Sequence, residues 1–300
     1  MLIIKIYKKQ SYLKITLFLF FGLFFNLNPN VSIIVFSFDR PLQLYALLES
    51  VEKYLSNVAD ISVIYRTSND IYSSAYQDVK NRFKYYNFLR QKIVPYNNFK
   101  ELTIKSVNEI KSDYLMFAVD DIVVTDFVDL GLCEKTLKFT KAHSFYLRLG
   151  YNIIECYMQN IKTPVPINKL VQENIYIYKF KDSKGDWYYP NSLDMAIYNK
   201  TDVINEISKL NFNSPNKLEG EWSLKTNLNK YGLFFKESKI VNIPLNLVNT
   251  DYRRNKNLNY FSTEDLLQKF QNGFKIDIKD LYKIQNKTTH IDFIPKFIKR

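Results

Sequence analysis

The first regular pattern in the chain is a solid one. Val31–Phe36 (VSIIVF) has almost no polar alternation, as a strand buried on both faces requires. Pro41 then opens a helix whose apolar positions Leu42, Tyr45, Leu48, Val51 and Tyr54 or Leu55 keep helical spacing. Ile61–Tyr65 predicts a second strand, Ile71–Phe83 a helix, and Ile93–Val94 a short third strand. Glu101–Ile110 is helical by its Leu102 and Val107 side, and Tyr114–Val119 (YLMFAV) is a fourth strand. Strands alternating with helices at this spacing imply right-handed crossovers and a mostly parallel sheet. The first half of the chain therefore reads as a nucleotide-binding type of unit.

The second half is less regular. Leu130–Lys141 predicts a helix, Ser144–Leu149 a strand, Ile175–Phe180 an edge strand, and Met195–Tyr198 another strand. Helices are expected at Asp202–Leu210, Pro215–Leu228 and Thr263–Phe270, the last with Ser262 and Thr263 placed to cap it. No internal repeat or low-complexity linker divides the chain, so one continuous α/β domain is expected.

Composition narrows the class. With 300 residues, 46% hydrophobic and 24% charged, the chain is long and apolar enough for a sizeable core. Cys133 and Cys156 are its two cysteines; they supply no disulfide framework and no CxxC spacing, which suits a reducing, cytoplasmic setting. The formal net charge of +12 favours anionic partners such as nucleotides, phosphosugars or acidic lipid surfaces. Basic residues are interspersed with acidic ones and form no block, so no nucleic-acid partner is expected. Lys5, Lys8, Lys9 and Lys14 precede an apolar run from Ile15 to Phe25. That run is shorter than the roughly 18–20 residues of a spanning helix, and residues 1–30 read as a signal-like segment or a peripheral membrane tether. Walker A, GxGxxG, HExxH and GxSxG motifs do not occur.

The chemistry concentrates where strands end. Asp120 and Asp121 stand between YLMFAV and IVV, two adjacent carboxylates inside an apolar run. Burying them unpaired costs several kcal/mol and sets like charges side by side. A Mn²⁺ or Mg²⁺ ion with a diphosphate resolves both difficulties; a solvated loop, or an arginine partner, is the alternative. Asp39 and Arg40 end the first strand and Arg66 the second; Asp39 suits a base or ribose, and Arg40 or Arg66 a phosphate. Arg148, in the apolar FYLRLG, needs an anion: a phosphate or one of the aspartates. Within Asp186-Trp187-Tyr188-Tyr189-Pro190, Asp186 and Trp187 are candidates to receive an acceptor sugar, or else belong to the core. His143 and both cysteines carry no recognisable catalytic spacing.

Two segments resemble the family-2-like group of GT-A-fold glycosyltransferases: VSIIVFSFDRPLQLYALLESV, like that group's first strand, turn and helix, and YLMFAVDDIVV, like its metal-binding Asp-x-Asp strand. The resemblance is good over roughly residues 31–126. It departs at Ile122, where an Asp-x-Asp beginning at Asp120 needs its second acid. It implies a GT-A-like α/β fold with a mixed, mostly parallel sheet flanked by helices in a single domain. Residues 31–126 would bind a UDP- or GDP-type nucleotide sugar, and residues 127–300 a glycan, lipid or protein acceptor. Asp39, Arg40 and Arg66 would hold the nucleotide, Asp120 and Asp121 the metal and diphosphate, and His290 would be a further metal ligand. An inverting transfer to a hydroxyl needs a carboxylate base. The segment PNKLEGEW resembles the family's acidic pair followed by Trp. On a helical wheel Glu221 falls within the apolar arc of Leu218, Trp222, Leu224 and Leu228, and Glu219 outside it, so Glu221 is the first candidate and Glu219 the second. Asp194 is a further acid for the acceptor side. A non-catalytic nucleotide-sugar-binding or membrane-associated module, and a sugar-phosphate nucleotidyltransferase, are the rival readings; the latter lacks its basic glycine-rich phosphate loop.

Overall fold

A computed structural model describes residues 31–246, 248 and 261–300; the expected tether at residues 1–30 lies outside them. The strands relevant to the site are β1 (Val31–Phe38), β2 (Val58–Arg66), β3 (Asn87–Arg90), β4 (Tyr114–Val119), β5 (Ile122–Val124) and β6 (Ser144–Tyr146). They continue with β7 (Asn168–Gln172), β8 (Ile175–Lys179), β9 (Ala196–Asn199), β10 (Tyr231–Phe235) and β11 (Ile240–Asn242). Nine of them form one sheet in the order β7-β8-β10-β6-β9-β4-β1-β2-β3. Parallel pairing holds β4, β1, β2 and β3 together and joins β10 to β6. Only β9 and β8 run against the other seven strands. This is the expected mixed, mainly parallel sheet, with helices on both faces.

The alternation within β1 sets the two cores. Val31, Ile33 and Val35 enter one cluster and Ile34 and Phe36 the other, which is why the strand is apolar throughout. On the first face pack α1 (Pro41–Tyr54), α2 (Asp70–Arg82), α4 (Leu130–Thr140) and α7 (Thr263–Gln271). On the second lie α3 (Phe99–Glu109), α5 (Lys200–Ile207) and α6 (Pro215–Ser223). The helices begin where their sequences say they should. Pro41 sits in the first turn of α1, Asn69 accepts from the Ile71 and Tyr72 amides, and Ser262 and Asp265 form a reciprocal capping box.

Three expectations need correction. The third strand is Asn87–Arg90, while Ile93 and Val94 lie exposed in the loop after it, because Pro95 cannot supply the amide that a ladder needs. Ile175–Lys179 is not an edge: Asn168–Gln172 pairs outside it. The helix from Pro215 stops at Ser223, leaving Leu224 79% exposed. Among the described residues no helix is long and apolar enough to cross a membrane.

Candidate functional site

The carboxyl rim of β1, β2 and β4 gathers the first group of polar side chains. Asp39 takes a left-handed backbone (φ 52°) where β1 ends, a strained corner for a non-glycine residue that turns the chain into α1. Its Oδ1 accepts from the Ser68 amide at 2.9 Å; burial raises its carboxyl pKa, opposed by Ser68 and Arg66. Arg66 lays its guanidinium over the Phe38 ring, 3.5 Å from the centroid.

Arg40 is turned inward. Its Nη1 donates to Asp120 Oδ1 at 3.0 Å and to Asp121 Oδ2 at 3.2 Å, and its Nη2 donates to the Asn246 carbonyl. Asp120 is held on both oxygens, since its Oδ2 also accepts from Ser37 Oγ (2.8 Å) and the Phe38 amide (3.1 Å). The two carboxylates therefore survive in an apolar run through an arginine partner. Desolvation still raises the Asp120 pKa, with Arg40 as the main opposing charge. This corrects one expectation, since Arg40 spends its fork on the acid pair rather than facing a phosphate, and it leaves Asp120 the more heavily engaged of the two acids. Asp121 differs. Its Oδ1 receives a single long contact, 3.4 Å from Asn242 Nδ2.

The second group arrives from the other half of the chain. Because β9 is antiparallel, its amino end meets the carboxyl end of β4, and Asp194 stands just before it, followed by Met195 with φ 49°. Asp194 Oδ1 accepts from Asn242 Nδ2 at 3.3 Å. Burial raises its pKa, offset chiefly by His290 and then Arg148. Glu219, on α6, reaches the same loop: its Oε1 accepts from the Leu193 amide at 2.8 Å and from Ser192 Oγ at 3.1 Å. Desolvation and then the Asp194 charge push the Glu219 pKa up to about 7. His290 pairs through Nδ1 with Thr289 Oγ1 at 3.0 Å and stacks on Tyr157, with ring centroids 5.9 Å apart.

The remaining candidates fall elsewhere. Glu221 is exposed, because α6 ends before Leu224 and Leu228 can extend the apolar arc that favoured it; Glu219 is the inward acid. Trp187 is wholly buried and donates to the Ile153 carbonyl at 3.0 Å, so it is core; the exposed ring of its segment is Tyr188. Arg148, also buried, finds its anion in Asp186 at 3.1 Å and donates to the Asp186 and Tyr189 carbonyls. That pairing supplies Arg148 with a protein anion in place of the expected phosphate and engages one oxygen of Asp186; it pins the loop leading to Glu219's partners. Asn242 went unnoticed in the sequence. Its signal is there, a single amide among Ile240, Val241 and Ile243, and it is 1% exposed.

Among the described residues, no three His, Cys, Asp or Glu side chains converge closely enough to hold a metal unaided. The acid pair nevertheless carries two negative charges against the single charge of Arg40.

No family model matches the chain. Over 217 residues, 63% of its length, it is 31% identical to the bifunctional glycosyltransferase pgtA of Dictyostelium discoideum, of which the match spans 27%. Solved structures similar to it include TarS of S. aureus with UDP bound (12% identity, 70% of this chain and 59% of that one, TM-score 0.48). The UDP-GlcNAc complex of TarS (13%, 69% and 59%, TM-score 0.41) is another. The chain is thus homologous to a glycosyltransferase over about a quarter of that relative's length.

Proposed function

We propose that the protein transfers a sugar from a nucleoside-diphosphate donor of UDP or GDP type to a hydroxyl of a glycan, lipid or protein acceptor. One observation carries this reading: Glu219, half-buried and with its pKa pushed up to about 7, stands at the same sheet rim as the Asp39–Arg40–Asp121 assembly. The homology to a glycosyltransferase supports it.

Glu219 would take the proton of the acceptor hydroxyl as its oxygen bonds to the anomeric carbon. The bond from that carbon to the β-phosphate oxygen breaks, the nucleoside diphosphate leaves with the electron pair, and one displacement inverts the anomeric centre. Asp39 and Arg66 would line the nucleotide. Asp121 and His290 would hold a Mn²⁺ or Mg²⁺ ion, which supplies charge neutralisation for the departing diphosphate. Two protein ligands suffice when phosphate oxygens complete the shell, and the uncompensated charge of the acid pair favours a cation there. Arg40 would act behind the site, fixing where Asp121 points.

Calorimetric titration with UDP and GDP, with and without Mn²⁺, tests the reading. Binding that strengthens with Mn²⁺ in the wild type, and loses that gain in Asp121→Asn, is the expected result. Indifference of binding to both changes would remove the metal assignment, and failure to bind or turn over any nucleotide sugar would remove the function.

A further inference from the structure

We propose that the amino end of the sheet is a membrane-contact surface: the exposed side chains Phe127, Leu132, Phe139 and Tyr282, with the lysines around them, seat the protein on an anionic lipid surface. The inference does not depend on the transferase reading.

The backbone gathers this surface from three segments. Val128–Asp129 pairs in parallel with Leu55–Ser56, just past the end of α1, so the chain enters α4 at the amino end of β2. It leaves α4 for β6, whose Ser144 lies level with Leu115 through Tyr198, again at the amino end. Helix α4 turns Leu130, Cys133 and Leu137 into the core. Its other side carries Leu132, Lys135 and Phe139, at the three- and four-residue spacing that shares one helix face. Ahead of the helix, Phe127 and Tyr282 meet edge to face, and both pack on the buried Tyr54 with ring centroids 5.2 and 5.4 Å from it. The Lys283 amide, donating to the Thr125 carbonyl at 2.8 Å, holds the third segment in place.

Phe139 is 82% exposed and Phe127 61%, with Tyr282 and Leu132 exposed as well. Large apolar side chains left together in water mark a contact surface. Lys53 lies 4.9 Å from the Tyr54 ring centroid and Lys283 5.3 Å from that of Tyr282; with Lys135 they border the apolar centre with positive charge. The acids beside the patch are engaged or offset. Asp129 caps α4 and accepts from Asn57, Lys138 pairs with Glu134 and Asp113, Lys239 pairs with Asp126, and Asp280 has Lys279 next to it in the chain. Aromatic rings edged by lysines suit the boundary between headgroups and acyl chains, where the lysines meet anionic headgroups. A second copy of this chain, paired about a two-fold axis, would press the same lysines against each other. The chain also enters the sheet at this end, because Val31 is level with Val58 and Tyr114. The sequence that carries Lys5, Lys8, Lys9, Lys14 and the apolar run Ile15–Phe25 therefore joins the fold beside the patch. Two weak membrane signals hold where one alone lets go. The rim with Asp121 stands at the other end of β4, about 20 Å away along its six residues.

The test is co-sedimentation of the full chain with phosphatidylcholine vesicles, with and without phosphatidylglycerol. It compares the wild type with Phe127→Ser/Phe139→Ser and Lys135→Gln/Lys283→Gln, each checked for an unchanged unfolding midpoint. The wild type should pellet with the phosphatidylglycerol vesicles and far less with phosphatidylcholine alone. The lysine pair should weaken that binding about thirtyfold and the phenylalanine pair at least about tenfold. A wild type that ignores anionic vesicles would overturn the inference. So would either double variant binding them as the wild type does, and the lysine arm keeps this test open if the phenylalanine variant fails to fold. A wild-type dimer in analytical ultracentrifugation that Phe127→Ser/Phe139→Ser dissociates, with lipid binding intact, would overturn it in favour of a second copy.

Discussion

Glu219 and Glu221 are two residues apart on one helix and differ in nearly everything that matters for proton transfer. The first is half-buried, accepts two hydrogen bonds and has its pKa lifted to about 7; the second faces solvent. Glu219→Gln should reduce sugar transfer by about 10²–10⁴-fold with nucleotide affinity unchanged, whereas Glu221→Gln should stay near wild-type rates, as steady-state kinetics would show. A base works only when deprotonated, so wild-type kcat/KM should fall as pH drops through about 7. Stability should run the other way. The folded-state pKa lies above the ordinary value of 4.5, so the folded protein binds this proton more tightly and is favoured at low pH. That advantage is lost as pH rises from about 4.5 to about 7, and thermal unfolding across this range should show a smaller loss in Glu219→Gln. The acid pair divides in a similar way. Asp120→Ala leaves Arg40 with Asp121 as its remaining carboxylate and strips the acceptor from Ser37 and the Phe38 amide, and should cost about 1–3 kcal/mol in urea unfolding. Asp121→Asn, which keeps the Asp120–Arg40 bond, should cost far less stability and chiefly affect donor binding.

At the scale of elements, the first half of the chain was legible because its strands are long, apolar and flanked by caps: Val31–Phe36, Ile61–Tyr65 and Tyr114–Val119 all lie within observed strands. Asp39, Asp120 and Asp121 could be placed at the rim for the same reason. What the sequence did not disclose is which partner each acid would find, because Arg40 and Asp120 are 80 residues apart and meet only through the sheet. The second half was harder to read. Tyr231–Phe235 and Ile240–Asn242 are short strands paired to distant segments, and their apolar content alone does not separate them from loops. The wheel that favoured Glu221 failed because it assumed a helix continuing to Leu228. Gly232 shows how closely this half is packed: a Cβ there would lie 2.6 Å from the Tyr146 ring, 2.7 Å from Phe180 and 2.9 Å from Tyr178. Gly232→Ala should therefore lower stability by about 1–3 kcal/mol in denaturant unfolding, although the residue is not among those placed at the site.

For the molecule as a whole, the charge of +12 acts over a distance. A positive field speeds the encounter with an anionic donor and is screened within about 10 Å at ordinary ionic strength. The donor KM should therefore rise several-fold between about 0.05 and 0.3 M salt, while the unfolding midpoint, which rests on two large apolar cores, should move little.

The reversed strand β9 has a wider consequence. Were it parallel to its neighbours, the loop carrying Asp194 and the contacts of Glu219 would open at the opposite end of the sheet, about 13 Å away across four residues of strand. One inverted strand thus lets chain entering the sheet and chain leaving it share a single address. The loop before β9 can then be lengthened, shortened or replaced without disturbing the register of the parallel strands β4, β1 and β2.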